Sequence, residues 1–167
     1  DESLSKRPME RIVKPLSKMG LQIKSKDGKL PISIKDSRIN GIDYKNTMSS
    51  AQVKSAVLLC GLGTTDTTSY YEPIKSRNHT EIMLKNIGVD IEHNNGKIIL
   101  RNSNSLIKGL DITIPGDPST ASFFAAAALI LPKSELIIKN ILANPTRFGF
   151  FDALNRMDAN IEYLSSW

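Results

Sequence analysis

The segment "SSAQVKSAVLLCGL", residues 49–62, places small polar side chains directly before an apolar helix. Ser49 with Gln52 is a plausible capping box, in which the two side chains satisfy backbone amides at the helix start. A second interpretation gives Ser50, Ala51 and Gln52 a ligand. Their hydroxyl, backbone N–H and carboxamide donors, at the positive end of a helix dipole, suit a phosphate or a polyhydroxylated acid. Both interpretations hold if Ser49 caps the helix while Ser50 and Gln52 face the ligand.

Two arginines stand at comparable places before predicted helices. Ser76 and Arg77 open the stretch "SRNHTE", which itself carries a helix-cap pattern, and Arg7 precedes Pro8, a residue that favours the first position of a helix. A lone surface arginine is usually only solvated. Three helix starts that offer Arg, Ser or Gln donors nevertheless resemble a pocket for anions, because the guanidinium fork matches phosphate and carboxylate groups.

Composition indicates a globular protein with a positive surface. The chain has 167 residues, of which 40% are hydrophobic, 23% charged and 6% aromatic, with a net charge of +5. Because the basic residues are dispersed, small anionic ligands are favoured over nucleic acid. The longest apolar run, residues 123–132, is too short to span a bilayer, and no charged-then-apolar leader opens the chain. With a lone cysteine besides, we expect a cytoplasmic protein without a membrane partner.

Few residues are arranged as metal ligands or nucleophiles. His79 and His93 are isolated from any Cys or His partner at ligand spacing, so no metal site is expected. Cys60 lies in the apolar part of a helix and is expected to be a small core residue. Neither a nucleotide-binding glycine fingerprint nor a phosphate-loop lysine motif occurs, and no cofactor is expected.

The elements that must position these residues recur along the chain. "PLSKMGLQI", "MLKNIGVDI" and "ALNRMDANI" each combine an amphipathic helix end, a break and the start of an alternating strand, at intervals of about 69 residues. The breaks are Gly20 and Gly88, which adopt positive φ readily, and Asp158, a poorer substitute. "SAQVKSAVLLCGL" and "STASFFAAAALIL" recur at the same spacing. Both are apolar all round, which predicts two helices buried between other layers.

Strand patterns surround the helices. "LQIKS" and "ISIKDS" are joined by the turn "KDGK", and "VDIEH" and "KIILRN" by the hairpin signal "NNG". "TTSYYEP", "LDITIPG" and "ELIIKN" complete the predicted strands. Because several neighbouring strands pair through short turns, the prediction is an α+β fold with helices packed against mixed sheets. The helix after "PGDP" is expected to have Asp117 as its N-cap and Pro118 as its first residue.

Five stretches carry a resemblance to a known family. They are "SLSKRPMERIVKPLSKMG", "SSAQVKSAVLLCGL", "SRNHTEIMLKNIGVDIE", "IPGDPSTASFFAAAALI" and "NPTRFGFFDALNRMDANIE". In this order they resemble the 5-enolpyruvylshikimate-3-phosphate synthases, the 3-phosphoshikimate 1-carboxyvinyltransferases of aromatic amino-acid synthesis. "RPM", "SAQVKSA" and "SRNHTE" are the specific part of the resemblance, which covers essentially the whole chain. It implies two similar domains, each built from three βαβαββ units.

The resemblance also implies a reaction and a set of contacts. The enolpyruvyl group of phosphoenolpyruvate passes to the 5-hydroxyl of shikimate-3-phosphate by addition and elimination, without a metal or organic cofactor. Ser50, Ala51, Gln52, Ser76 and Arg77 resemble the shikimate-3-phosphate contacts, and the resemblance implies that Gln52 touches both substrates. Arg7 resembles the arginine that grips phosphoenolpyruvate. Alanine at 51 together with Arg77 resembles the branch that is less sensitive to the herbicide glyphosate.

Several of the family's motifs do not occur in this chain. The acid–base groups and half of the phosphoenolpyruvate clamp are among them, so the resemblance assigns no catalytic residue here and implies a central fragment that is inactive alone. Residues 1–115 would form most of the shikimate-3-phosphate-binding domain, and residues 116–167 the crossover and the start of the second domain. The missing segments of the same enzyme are the implied partners. The alternative is a non-catalytic module of the same fold that binds a phosphorylated ligand.

Overall fold

The structure, a computed structural model, describes residues 1–101 and 107–164. The chain forms two compact units, Asp1–Leu110 and Asp111–Trp167. The predicted division into domains, with a boundary between residues 115 and 116, stays a prediction.

The first unit contains most of the regular structure. In chain order its elements are α1 (Glu2–Ser5), α2 (Glu10–Lys18), β1 (Gln22–Lys26), β2 (Lys29–Lys35), β3 (Asp43–Lys45), α3 (Ala51–Gly61), β4 (Thr68–Tyr71), α4 (His79–Asn86), β5 (Asp90–Asn94) and β6 (Lys97–Arg101). β1 and β2 form an antiparallel hairpin. The other four strands form a sheet in the order β3-β4-β6-β5, in which β3 runs parallel to β4 and the other pairs are antiparallel. The predicted α+β class with a mixed sheet is confirmed.

The two predicted hairpin turns form because their central residues tolerate positive φ. Asp27 and Gly28 have φ angles of 51° and 71°, and Asn95 and Gly96 have angles of 46° and 78°. Two consecutive residues with positive φ are the requirement of the tight turn that matches the twist of paired strands. Asn102, the last residue of the predicted "KIILRN" strand, lies outside the described residues.

Strand β3 was not predicted, because three residues are too few to show an alternating pattern. The side chain of its first residue, Asp43, binds two neighbouring strands and holds β3 in the sheet. Asp43 accepts hydrogen bonds from Ser69 Oγ at 2.5 Å and from Lys97 Nζ at 3.1 Å. The hydrogen bond from Ser69, then that from Lys97, lowers the pKa of the Asp43 carboxyl below its ordinary value. One exposed carboxylate thus links β3 to β4 and β6.

The core of the first unit confirms the burial predicted for α3. Val53, Val57 and Leu58 of this helix are at most 3% exposed, and the helix packs against α2 and β4. Cys60 packs against the same core, as predicted, and burial raises the pKa of its thiol. The remaining buried apolar members come from the other helices and strands: Leu16, Met19, Ile23, Tyr70, Leu84, Ile98 and Leu100.

The repeated helix ends adopt one conformation. α2 and α4 end before Gly20 and Gly88, with φ angles of 94° and 91°, and a helix of the second unit ends before Asp158, with a φ of 57°. In each case the residue after the break donates its N–H to the carbonyl five residues earlier, the arrangement of a Schellman motif. The three bonds are Leu21 to Leu16 at 3.1 Å, Val89 to Leu84 at 3.0 Å, and Ala159 to Leu154 at 3.1 Å. The helix ends of the predicted repeat therefore share one backbone conformation.

The second unit begins its first helix where the sequence predicted. α5 spans Pro118–Ile130 with Asp117 at the N-cap position, and it is followed by a short 3-10 helix, Pro145–Arg147, and α6, Gly149–Arg156. Arg147 pairs with Asp117 and donates to Ser119 Oγ at 2.8 Å. This ion pair ties the 3-10 helix to the start of α5.

Three strand predictions in the second unit are wrong. "LDITIPG" and "ELIIKN" are not strands. A single parallel bridge joins Gly116, at the end of the first stretch, to Ile141, the residue directly after the second, with hydrogen bonds of 2.7 Å and 3.0 Å. After Asp158, the described residues 159–164 also form no strand. A strand forms only where a neighbour completes its hydrogen-bond ladder, and the described part of this unit supplies no further one.

The predicted burial of α5 is also wrong. Only Pro118 and Ala121 of this helix are buried, whereas Phe123 is 77% exposed and Ile130 is 78% exposed. A uniformly apolar helix needs neighbours on every side, and the described residues of the second unit provide only α6 and the 3-10 helix. Throughout the described chain, no helix has the length and apolar character that crossing a bilayer requires.

Candidate ligand site at the start of helix α3

Ser50, rather than Ser49, caps α3. Ser50 has extended backbone angles, and its Oγ accepts a hydrogen bond from the Val53 N–H at 3.4 Å. The prediction that Ser49 and Gln52 form the capping box is therefore wrong by one residue, since the chain enters the helix at Ser50. Ala51 and Gln52 begin the helix, and the first backbone N–H groups of a helix have no acceptor within it. These amides point out of the helix at its positive end.

Ser49 instead fastens the start of α3 to the segment that precedes α4. Its hydroxyl accepts a hydrogen bond from the Ile74 N–H at 3.1 Å and donates one to the Ile74 carbonyl. One side chain thus satisfies both backbone groups of Ile74. A third contact joins the two helices directly, because the hydroxyls of Ser55 and Thr80 lie 2.6 Å apart. Residues 73–78, here called the α4 approach, are held beside the first turns of α3.

A buried ion cluster lies beneath this junction. Lys54 Nζ is 2.9 Å from Glu72 Oε1 and 2.7 Å from Glu81 Oε1. The side chains of Lys54 and Glu72 are 1% exposed, and that of Glu81 is 12% exposed. Lys54 belongs to α3, Glu72 follows β4, and Glu81 lies in α4. One ammonium group therefore joins three elements of the first unit.

Glu72 uses both carboxylate oxygens to hold Ser76. Its Oε1 accepts the Ser76 N–H at 3.0 Å, and its Oε2 accepts the Ser76 hydroxyl at 2.6 Å. Burial by itself would raise the pKa of the Glu72 carboxyl. The hydrogen bonds from Ser76 and Lys54 outweigh burial and lower that pKa below its ordinary value. Glu72 is therefore ionised at neutral pH and fixes the middle of the α4 approach.

Tyr70 supports the residue that caps α3. Its hydroxyl accepts from Asn46 Nδ2 at 2.7 Å and donates to the Ser50 carbonyl, with 3.5 Å between the oxygens. Burial, opposed by the Asn46 hydrogen bond and reinforced by the nearby carboxylates Glu72 and Glu81, raises the pKa of Tyr70 to about 12. The phenol therefore stays protonated and keeps its hydrogen bond to the helix start at all ordinary pH values.

Five of the six predicted site residues lie at this junction. Ser50, Ala51 and Gln52 form the start of α3, and Ser76 and Arg77 lie in the α4 approach beside it. Gln52 and Arg77 are exposed, which leaves their carboxamide and guanidinium groups open to a ligand. The Ser76 hydroxyl already donates its proton to Glu72.

The structure places Arg7 differently from the prediction. α2 begins at Glu10 with Met9 at its N-cap, and Arg7 with Pro8 lies in the turn after α1. The Met9 N–H donates to the Gly28 carbonyl at 2.7 Å, and this bond holds the turn against the β1–β2 hairpin. The helix therefore begins after Pro8 and not at it. Arg7 is exposed, and no hydrogen bond or ion pair among the described residues joins its guanidinium to the α3 junction.

The sequence prediction missed Lys54 and Glu72 as organising residues. Lys54 precedes Val57 and Leu58 by three and four positions, so all three share the buried face of α3. A lysine on such a face requires an acidic partner, and this signal was available in the sequence. No spacing rule identified Glu72 as the partner, because the contact joins α3 to the end of β4. The described residues include no cluster of three His, Cys, Asp or Glu side chains fit to hold a metal ion.

Comparison with known proteins identifies the family. The family model for EPSP synthase (3-phosphoshikimate 1-carboxyvinyltransferase) matches residues 1–165, nearly the whole chain. The chain belongs to the EPSP synthase family. Among similar curated proteins is the 3-phosphoshikimate 1-carboxyvinyltransferase of Endomicrobium trichonymphae, 50% identical over 162 residues, which are 96% of this chain and 37% of that protein. The enzyme of the same name from Persephonella marina is 46% identical over 167 residues, which are 98% of this chain and 39% of that protein.

Solved structures agree with the EPSP synthase assignment. EPSP synthase from Acinetobacter baumannii matches with a TM-score of 0.81 and 42% identity, over 96% of this chain and 36% of that one. The enolpyruvyl transferase NikO from Streptomyces tendae matches with a TM-score of 0.74 and 18% identity, over 98% of this chain and 42% of that one, and shows the shared fold alone. The predicted enolpyruvyl transferase-like fold is confirmed. The chain spans little more than a third of the length of these EPSP synthases.

Proposed function

We propose that the chain is the central part of a 3-phosphoshikimate 1-carboxyvinyltransferase and supplies part of its shikimate-3-phosphate site. The complete enzyme would transfer the enolpyruvyl group of phosphoenolpyruvate to the 5-hydroxyl of shikimate-3-phosphate and release phosphate, in the cytoplasm. The observation that carries this proposal is the junction of the α3 start with the α4 approach, in a chain of this family. There the amides of Ala51 and Gln52 adjoin the segment that carries Arg77.

The chemistry of this junction suits the phosphate and hydroxyl groups of shikimate-3-phosphate. Helix amides and a guanidinium fork bind anionic oxygens, and the Gln52 carboxamide can donate to a hydroxyl or a carboxylate. Arg7 and Ser50 complete the proposed contact set, with Arg7 directed to phosphoenolpyruvate, whereas the Ser76 hydroxyl, also predicted as a contact, donates to Glu72. Ala51 has no polar side chain and would contribute only its backbone N–H.

Titration calorimetry of the purified chain with shikimate-3-phosphate tests the proposed site. We expect weak but measurable binding. Arg77→Ala should weaken it about 10- to 100-fold, because a hydrogen bond to a charged group contributes about 1.5–3 kcal/mol. Arg156→Ala, in α6 of the second unit, is the matched control and should leave binding unchanged. Absence of binding, or equal losses in the two variants, would count against the proposal.

We also propose that the chain does not turn over its substrates alone, since the acid–base motifs of the family do not occur in its sequence. Incubation with phosphoenolpyruvate and shikimate-3-phosphate should release no phosphate. Co-expression with the segments of a relative that flank the matched region should restore release. If neither mixture is active while shikimate-3-phosphate still binds, the alternative of a non-catalytic binding module gains support.

A further inference from the structure

Stability alone does not explain why the first unit contains a buried ion cluster. Taking charged groups out of water is costly, and replacing a buried ion pair by apolar side chains of similar volume is often neutral or stabilising. The Lys54–Glu72–Glu81 cluster nevertheless sits directly below the α3 junction. A role in fixing the position of a neighbouring segment would account for it.

The two carboxylates of the cluster differ in what they hold. Both pair with Lys54, but among the contacts of the described residues Glu72 alone also accepts hydrogen bonds from the α4 approach, through the N–H and the hydroxyl of Ser76. Glu81 Oε2 is buried without a hydrogen-bond partner among the described residues. Glu72 therefore couples the α4 approach to α3, whereas Glu81 couples the helix α4 itself to α3 through Lys54.

The hydrogen-bond direction at Ser76 limits what this residue can do for an anion. A phosphate oxygen accepts hydrogen bonds, so a serine must donate its single hydroxyl proton to bind one. That proton is directed at Glu72 Oε2 over 2.6 Å, and the Ser76 N–H is directed at Glu72 Oε1. Both donors of Ser76 are therefore occupied by the protein.

We propose that Glu72, neutralised by Lys54, is a positioning residue that fixes Arg77 for the ligand by holding Ser76, and that Ser76 acts through Glu72 rather than by donating to the ligand. Arg77 directly follows Ser76, so an anchored Ser76 restricts where the guanidinium can reach. This inference rests on the proposed shikimate-3-phosphate site for its binding readout. It makes a separate prediction about the order of the α4 approach that needs no ligand.

The order of the α4 approach is tested with Glu72→Met and the matched control Glu81→Met, in the full chain. Each variant removes one buried carboxylate and leaves Lys54 one acidic partner, but only Glu72→Met releases Ser76. Hydrogen exchange of the amides in residues 74–78, and trypsin cleavage after Lys75 and Arg77, should become about tenfold faster in Glu72→Met. Both rates should stay within about twofold of the wild type in Glu81→Met. Equal rates in the two variants would overturn the proposal.

The proposal that Ser76 acts through Glu72 is tested by a double-mutant cycle in which the affinity for shikimate-3-phosphate is measured. Glu72→Met and Ser76→Ala should each weaken binding, the former about tenfold, and the double variant should bind no more weakly than Glu72→Met. Ser76→Thr, which keeps the hydroxyl, should retain the wild-type affinity. Additive losses would show that Ser76 donates to the ligand directly, and would overturn the proposal.

The two readouts separate this inference from the proposed function. If the wild-type chain binds no shikimate-3-phosphate while Glu72→Met alone loosens residues 74–78, the proposed function fails and the positioning of the α4 approach stands. If the wild type binds and the exchange rates of the two Met variants agree, the positioning role fails and the binding site stands.

Discussion

Gly20 and Gly88 end equivalent helices with φ angles of 94° and 91°, but a side chain would find space at only one of them. A Cβ atom added at Gly20 would lie 2.6 Å from the Arg38 carbonyl oxygen. One added at Gly88 would meet no atom of the described residues within 4 Å. The pair therefore separates the effect of positive φ from the effect of a steric clash.

We predict that Gly88→Ala lowers the free energy of unfolding by about 1–2 kcal/mol, the penalty for an alanine with positive φ. Gly20→Ala should lower it by about a further 1–3 kcal/mol, because the Arg38 backbone must also move. Urea unfolding followed by far-ultraviolet circular dichroism measures both values. Equal losses would contradict the asymmetry.

The third helix end offers a stabilising change. Asp158 holds a φ of 57°, a conformation that glycine adopts more readily. We predict that Asp158→Gly stabilises the end of α6 by up to about 1 kcal/mol, which corresponds to about fivefold slower exchange of the last α6 amides. Asp152→Gly, inside the same helix, should speed exchange instead, because glycine disfavours a helix interior. Faster exchange in Asp158→Gly would refute the prediction.

Removal of the shared cation should be among the most damaging single changes in the first unit. Lys54→Met leaves Glu72 and Glu81 buried without a positive partner, and we predict a loss of about 3–5 kcal/mol in the free energy of unfolding. Lys97→Met, which breaks the exposed pair with Asp43, should cost at most about 1 kcal/mol. The triple change of Lys54, Glu72 and Glu81 to Met should recover most of the loss. If Lys54→Met and Lys97→Met lowered the free energy of unfolding equally, the buried cluster would not contribute the predicted ~3–5 kcal/mol.

The raised pKa of Tyr70 predicts how the free energy of unfolding changes at high pH. Its pKa is raised to about 12 in the folded chain, whereas an exposed tyrosine ionises near pH 10. Between these values the unfolded chain releases a proton that the folded chain retains, so the unfolded state is favoured progressively as the pH rises. The contribution is fully present below pH of about 10 and is lost as the pH approaches about 12.

We predict that the free energy of unfolding of the wild type falls more steeply than that of Tyr70→Phe between pH 9.5 and pH 11 or so. Urea unfolding at a series of pH values measures both slopes. Tyr44→Phe serves as a control for the general effect of removing a phenol. Parallel slopes for the wild type and Tyr70→Phe would mean that burial does not perturb Tyr70.

The sequence predicted best what depends on neighbouring residues. Both hairpin turns and the breaks at Gly20 and Gly88 follow from residues whose φ preferences are local, and the structure confirms them. The start of α5 after Asp117 likewise needs only a capping residue and a proline. The burial of α3 follows from a composition that only a packed helix can have.

What depends on distant partners was predicted less well. The failed strands "LDITIPG" and "ELIIKN" needed a ladder partner, and the exposed α5 needed covering layers, neither of which a local pattern reveals. The exchange of roles between Ser49 and Ser50 depends on Ile74, 25 residues away from Ser49. The contacts of Lys54 with Glu72 and Glu81 likewise required the fold itself, although the position of Lys54 on an apolar helix face was visible in the sequence.

The exposed face of α5 has a consequence for the chain in a cell. Phe123, Phe124 and Ile130 are 77%, 61% and 78% exposed, in a helix that carries no charge along its length. Heat-shock chaperones bind exposed apolar surfaces of this kind, and quality-control proteases degrade chains that carry them. A copy of this chain released by itself into a cytosol would be short-lived there, whatever it binds.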